Sequence, residues 1–321
     1  MQRWYASVNY GLEAIAGEFL RAHNAKHITV MDGALVFSRE SAPNVRCVSN
    51  LFVIISSFQS KNIDEAARRI SQAAFRFPRT DKKTFRVIVM DCGRLRPLDE
   101  NLMRGVEKNI TRRTGLAAHR ANPEAEIWLN RRNDGTTYFM LRTEKRPSSG
   151  KALKKGELRR DIAEIMLYLS KSGRLGAIAD PFGGWGAIAA AAAESDRNGK
   201  IFTGDIKDEC VRFQTKRLSG FKNCVVQKWD AANLPLNDHS VASVVTDPPW
   251  GEYDKTDVQP LYDAFIKEAA RILKPRGALV FLSSAREAAC QSLKTYAFIY
   301  THTPLKINGR ETYLFNAHKD G

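Results

Sequence analysis

Ser243-Val244-Val245-Thr246-Asp247-Pro248-Pro249-Trp250-Gly251 passes from an apolar, β-branched run into an acid, two prolines, an aromatic and a glycine. The run reads as the end of a buried strand, which puts Asp247 at a strand's carboxyl edge, where open α/β sheets place their ligands. Two consecutive prolines fix φ and remove backbone donors, so their carbonyls stand as free acceptors on a stiff segment. Trp250 offers a flat face to a planar ring, and Gly251 lets the chain turn away without a side chain. A nucleobase amine is a weak nucleophile because its lone pair is delocalised into the ring. A carboxylate and a backbone carbonyl, both accepting from that NH2, localise the lone pair and aim it at an electrophile. Asp247, Pro248, Pro249 and Trp250 are therefore the candidate catalytic residues.

Upstream, Asp180-Pro181-Phe182-Gly183-Gly184-Trp185-Gly186 follows another strand and opens the alanine-rich helix 187–194. Glycines at a strand-to-helix turn let a ligand approach backbone N–H groups. The dinucleotide spacing G-x-G-x-x-G is absent. Asp205 ends the next strand about 20 residues beyond the glycines, where an acid bonds ribose hydroxyls. Asp230 follows a third strand and is placed to accept from an adenine amine. Asp180, Asp205, Asp230 and Asp247 thus end four strands in register, a pattern that isolated turn or cap acids do not produce. The candidate cofactor contacts are Asp180, Phe182, Gly184, Gly186, Asp205, Ile206, Asp230, Ala231 and Asp247.

From Asp161 onward helices and strands alternate, as in a doubly wound parallel sheet. The chain then ends in two runs, 298–307 and 311–317, around Asn308-Gly309, a two-residue hairpin signal. A parallel sheet closed by an antiparallel hairpin is the architecture of Rossmann-like methyltransferases. The first half reads differently. The order β-α-β-β, with a hairpin around Met31-Asp32-Gly33 and a long apolar run at 48–58, suggests a small α+β module on one antiparallel sheet. A helix at 63–75, a strand at 85–90, a helix ending at Gly115 and a hairpin turning at Asn133-Asp134-Gly135 suggest a second module. Residues 146–160 form a basic connector.

The 321 residues carry a formal charge of +15. Residues 79–160 alone hold 21 Lys and Arg against 10 Asp and Glu, a net +11. Such concentration marks a face that binds a polyanion, with nucleic acid favoured. No long amphipathic basic helix supports a membrane surface instead. Five scattered cysteines, Cys47, Cys92, Cys210, Cys224 and Cys290, show no C-x-x-C spacing. They point to a reducing compartment and away from a structural metal. No metal site is expected, and His23 and His27 are read as surface residues. The N-terminus is not read as a signal peptide, and no apolar run approaches the ~18 residues of a membrane span. The expected location is the cytoplasm.

With these residues placed, the chain resembles the tRNA guanine-N2 methyltransferases that carry a THUMP domain. The likeness runs through Asn9-Tyr10-Gly11-Leu12-Glu13, Val30-Met31-Asp32-Gly33, Phe85-Arg86-Val87, Asn122-Pro123 and the Ile127/Tyr138 hairpin. It continues through Lys155-Gly156-Glu157-Leu158, the turn with Gly184 and Gly186, and Asp247 to Gly251. The resemblance implies an α/β fold: a Rossmann-like methyltransferase domain preceded by an α+β ferredoxin-like and THUMP RNA-binding region. It implies boundaries at 1–61 for the ferredoxin-like domain, 62–145 for THUMP, 146–160 for the linker and 161–321 for the methyltransferase domain. It also implies S-adenosylmethionine as cofactor, tRNA as partner and guanine N2 as acceptor. The RNA contacts it suggests are Arg94, Arg112, Arg113, Arg131, Arg132, Arg146, Lys151, Lys154 and Lys155. Oligomeric state and any partner subunit stay open.

Gly183 and Trp185 depart from that family's pattern, which has a small or thiol residue before Gly184 and Ser or Thr before Gly186. Lys155 and Arg160 replace prolines, and Trp250 stands where Tyr or Phe is commoner. Two other readings of the same residues stay open. One is an adenine-N6 or other base-amine methyltransferase on RNA or DNA, and the other is a cofactor-binding, RNA-binding pseudoenzyme.

Overall fold

The computed structural model describes residues 1–41, 46–145, 154–171, 176–195, 198–250, 258–307 and 309–319. The chain forms two compact units, one of Met1–Ser7, His23–Pro43 and Asn50–Arg146, the other of Val8–Ala22, Asn44–Ser49 and Pro147–Gly321.

The first unit is built on one mixed sheet. Its strands are β1 (Gln2–Ser7), β2 (Lys26–Met31), β3 (Ala34–Arg39), β4 (Asn50–Gln59), β5 (Thr84–Asp91), β6 (Arg94–Leu95), β7 (Ala117–Ala118), β8 (Ala125–Arg131) and β9 (Thr136–Lys145). They lie in the order β2-β3-β1-β4-β9-β8-β5-β6, with β7 against β5. The two modules expected over 1–61 and 62–145 share this sheet, because β4 pairs along its length with β9. Helix α1 (Glu13–Ala22) belongs to the second unit, whereas α2 (Ile63–Gln72) and α3 (Glu100–Thr114) belong to the first. Ile63, Ala66, Ala67 and Ile70 line one face of α2 at helical spacing, and all are buried. They join Val106 and Ile110 of α3 over Phe85, Ile127, Leu129 and Phe139. Asn109 of α3 donates to the carbonyls of Ile70 and Ala73, at 2.6 and 3.0 Å, and so closes the end of α2. Gly115 ends α3 with φ 76°, the left-handed cap that glycine adopts without strain.

The second unit carries β10 (Ile178–Asp180), β11 (Ile201–Asp205), β12 (Cys224–Lys228), β13 (Val241–Thr246), β14 (Leu273–Ser283), β15 (Phe298–Ile307) and β16 (Arg310–Lys319). Their order is β12-β11-β10-β13-β14-β16-β15. The first five are parallel, and the terminal hairpin joins antiparallel through β16. This is the Rossmann-like methyltransferase architecture that the strand pattern suggests. Around the sheet lie α4 (Arg160–Leu169), α5 (Ala187–Ala193), α6 (Asp208–Leu218), α7 (Gln259–Ile272) and α8 (Arg286–Thr295). Phe281 of β14 stacks on Phe315 of β16, with centroids 4.8 Å apart, in the middle of the core. No helix among the described residues is long and apolar enough to cross a membrane.

The chain order hides how residues 8–22 are used. Asn9 donates to the carbonyl of Lys306, and a Cβ on Gly11 would sit 2.3 Å from the carbonyl oxygen of Pro304. Only glycine lets this stretch lie against β15. Phe19 of α1 meets Tyr168 of α4 edge to face. Arg159 then ties three separate stretches of the second unit together. It donates to Asn9 at 3.1 Å, to the Ser49 hydroxyl at 2.7 Å and to both carboxylate oxygens of buried Asp161. Removing one partner of a buried charge pair leaves the other uncompensated. Arg159→Ala should therefore destabilise the protein by about 3 kcal/mol, read as a fall in denaturant midpoint. An unchanged midpoint would show that the guanidinium is dispensable.

Candidate active site

At the carboxyl end of β10 the chain turns through Pro181–Gly186 into α5. Gly184 and Gly186 have φ of 48° and 76°, a region that β-carbons disfavour. The turn is held from below. Buried Gln214 of α6 donates to the Gly184 carbonyl at 2.9 Å and accepts from the Thr203 hydroxyl at 2.8 Å. A Cβ on Gly183 would lie 2.4 Å from that hydroxyl, which explains the glycine found there. Asp205, at the end of β11, accepts from Gly184 N–H and from Lys207 N–H, each at 2.9 Å. Ile206 is 63% exposed beside it, an apolar side chain left uncovered next to a carboxylate. Asp230 is exposed and accepts from Ala232 N–H, with Ala231 buried between them. A glycine turn open to ligand, a neighbouring acid and an uncovered aliphatic side chain suit a nucleoside with a flat ring.

Asp180 differs from its three counterparts. It is buried, and it accepts from the Thr246 hydroxyl at 2.7 Å, which in turn accepts from Phe182 N–H at 3.0 Å. Burial, together with the nearby Asp247 and Asp205 charges, pushes its pKa up to about 8. Asp180 thus joins β10 to β13 from within the core. Phe182 meets Phe265 edge to face at 5.3 Å.

On the β13 side, Asp247 is half-buried just past the strand. The Trp250 indole N–H donates to its Oδ1 at 3.0 Å, and Oδ2 has no partner among the described residues. Burial raises its pKa to about 7, partly offset by the indole. Pro248 is buried and Pro249 exposed. The Pro249 carbonyl accepts from Tyr262 OH at 3.3 Å, and that hydroxyl lies 2.7 Å from Ser283 Oγ at the end of β14. Burial pushes the Tyr262 phenol well above its ordinary pKa, so it remains a donor. Gly251 falls outside the described residues.

Gln214, Thr246, Tyr262, Ser283 and Trp229 are the residues that sequence reasoning missed. Trp229 is buried under the turn, with its indole donating to the Pro181 carbonyl at 2.9 Å. Its only sequence signal is an apolar residue directly before Asp230. Gln214 shows none, being one polar residue on a charged helix.

The cations expected to face RNA divide into groups. Arg94 is exposed on β6, and Arg112 and Arg113 are exposed in the last turn of α3, where Arg112 also donates to Asn109. Arg131 is instead consumed internally. It donates to Asp91, its direct neighbour across β5 and β8, and to the carbonyls of Ser60 and Lys61. Arg132 donates to Tyr5 OH and to the Asp32 carbonyl. These two brace the sheet and do not stand as free phosphate contacts. The ammonium of Lys154 sits over the Trp185 and Phe213 rings, and Lys155 is exposed. Arg146 and Lys151 lie outside the described residues.

The floor of the site has no spare volume. A Cβ on Gly204 would lie 2.1 Å from the Gln227 carbonyl oxygen and 2.7 Å from the Trp229 ring. Gly204→Ala should cost about 1–3 kcal/mol of stability by overpacking, read as a lowered melting temperature. A melting temperature equal to that of the parent would contradict this tight approach.

Residues 147–300 match the family described as UPF0020, the RMKL-like methyltransferase domain. No curated protein matches the chain. Three solved structures share its fold over nearly the full length. TrmN from Thermus thermophilus is 21% identical, with a TM-score of 0.81 over 99% of this chain and 100% of that one. SMU.472, in complex with SAH, is 14% identical, with a TM-score of 0.75 over 100% and 98%. A predicted N6-adenine-specific DNA methylase from Listeria monocytogenes is 17% identical, with a TM-score of 0.69 over 98% and 95%. At such identities the likeness is one of fold. The family match thus places a methyltransferase-like domain over the region that holds the glycine turn and its acids.

Proposed function

We propose that the protein methylates the exocyclic amine of a nucleobase in tRNA, with guanine N2 as the acceptor. The observation that carries this reading is Asp247: a carboxylate at a strand end, gripped on one oxygen by Trp250 and with no partner among the described residues on the other. Bound S-adenosylmethionine supplies a methyl group on a sulfonium. Gly184, Gly186 and Phe182 would line its amino-acid end, Asp205 its ribose hydroxyls, and Ile206, Asp230 and Ala231 its adenine. Asp180 supports these contacts from inside the sheet.

Asp247 accepts from the base amine, orients its lone pair and takes the proton that the amine loses on becoming N-methyl. A group titrating near neutrality suits that proton transfer. The proline carbonyls are the second acceptor for the amine. The indole N–H of Trp250 holds the carboxylate in place while its ring is available for stacking on the base. The first unit, read as a ferredoxin-like and THUMP region, grips RNA phosphates through Arg94, Arg112 and Arg113, aided by the connector with Arg146, Lys151, Lys154 and Lys155. Such contacts position the RNA and carry little sequence information.

The product decides the target. Nucleoside mass spectrometry of tRNA incubated with the enzyme and S-adenosylmethionine should show N2-methylated guanosine. N6-methyladenosine would move the reading to the adenine-amine class, and a chain that binds cofactor without methylating any nucleic acid would make it a pseudoenzyme.

Asp247 must be ionised to accept from the amine, and its pKa is raised, so activity should be lost as pH falls through about 7. Asp247→Ala should lower kcat by about 10²-fold or more while leaving cofactor affinity nearly intact. Wild-type turnover in this variant, or a rate that does not fall below pH 7, would take Asp247 out of the proton path.

A further inference from the structure

The connector before α4 ends in contacts that no linker needs. Lys154, Lys155, Gly156 and Glu157 form a closed turn, with Glu157 N–H donating to the Lys154 carbonyl at 2.9 Å and Gly156 at φ 77°. The Glu157 side chain is only 5% exposed and accepts from Lys154 N–H at 3.0 Å and from Arg217 of α6 at 2.5 Å. The same Arg217 nitrogen donates to the Trp185 carbonyl at 2.9 Å. The Trp185 indole N–H donates in turn to the Lys155 carbonyl at 3.0 Å. Its ring packs edge to face on Phe213 at 5.3 Å, with the Lys154 ammonium above both rings. Trp185 sits between the two glycines whose positive φ shapes the cofactor turn.

We propose that Trp185 is a positioning residue and that the turn Lys154–Glu157 is a bracket holding the cofactor-binding glycine turn in shape. Glycines give that turn its conformation but no rigidity, because each has the widest backbone freedom of any residue. Gln214, Thr203 and Asp205 restrain the turn from the sheet side. Trp185 restrains it from the other side, through its ring, its N–H and its carbonyl at once. A turn fixed in advance binds without an ordering cost, so the bracket raises cofactor affinity without touching the cofactor. A Ser or Thr at this position could reach neither Phe213 nor Lys155. The cofactor site therefore begins at Lys154, ahead of the helix that opens the parallel sheet.

The inference rests on S-adenosylmethionine binding at this turn, and the test separates the two ideas. Cofactor affinity of the full chain is measured by calorimetry for the parent, Trp185→Ser, Trp185→Phe, Arg217→Met and Asp205→Ala. Trp185→Ser should weaken binding about tenfold, the loss of a hydrogen bond and its packing. Arg217→Met should weaken it by roughly half an order of magnitude, the loss of a smaller share of the same contacts. Trp185→Phe keeps the ring and loses the N–H, and should recover part of the loss. The calorimetric stoichiometry should stay at the parental value in all three, which a general loss of folded protein would not produce. Parental affinity in both Trp185→Ser and Arg217→Met, beside weakened binding in Asp205→Ala, would overturn the bracket alone. A parent chain that binds no S-adenosylmethionine would remove the cofactor reading and the bracket with it. Should Trp185→Ser fail to fold, Arg217→Met decides.

Discussion

The Thr246 hydroxyl is the fixed point of the methyltransferase unit. It donates to Asp180 at the end of β10 and accepts from Phe182 N–H, so one side chain of β13 sets where the neighbouring strand stops and its turn begins. These two strands are adjacent although β11 and β12 lie between them in sequence, which makes their carboxyl edge the switch point of the sheet. The residue after Thr246 is Asp247. The bond that anchors the glycine turn therefore also fixes the height of the carboxylate at which the acceptor amine would be met. A shift of β13 along β10 would disturb both halves of the site together.

The same closeness has an electrostatic consequence. Asp180 and Asp247 lie at one end of the sheet, where burial disfavours ionisation of both and the Asp247 and Asp205 charges add to the effect at Asp180. Asp180 retains its proton to higher pH than Asp247, because it is the more deeply enclosed and feels both other acids. Asp205 is held differently, accepting from the backbone N–H groups of Gly184 and Lys207.

Charge density and individual charges carry different information. The net +11 of residues 79–160 describes a region, and a region with such an excess attracts polyanions whatever its side chains do singly. Arg131 and Arg132 nevertheless point into the fold, where carboxylate, phenol and carbonyl oxygens receive them. A guanidinium with five donors is well suited to such bracing.

Local chemistry made much of this protein legible in its sequence. Strand alternation, helical spacing, the helix end at Gly115 and the Asn308-Gly309 hairpin signal act over a few residues, so they can be read without knowing the fold. The four acids at strand ends were legible for the same reason, since each follows an apolar run that must be buried. The sharing of one sheet by β4 and β9, the place of α1 in the second unit and the tie of Arg159 to Asn9 and Ser49 were not. Neither were the roles of Gln214, Trp229 and Trp185. Periodicity says that a face is buried but not against what, and a hydrogen-bonding side chain does not name its partner. Those choices join residues far apart in the chain, and only the closed packing of the tertiary structure, in which each buried polar atom must find an acceptor or donor, decided them.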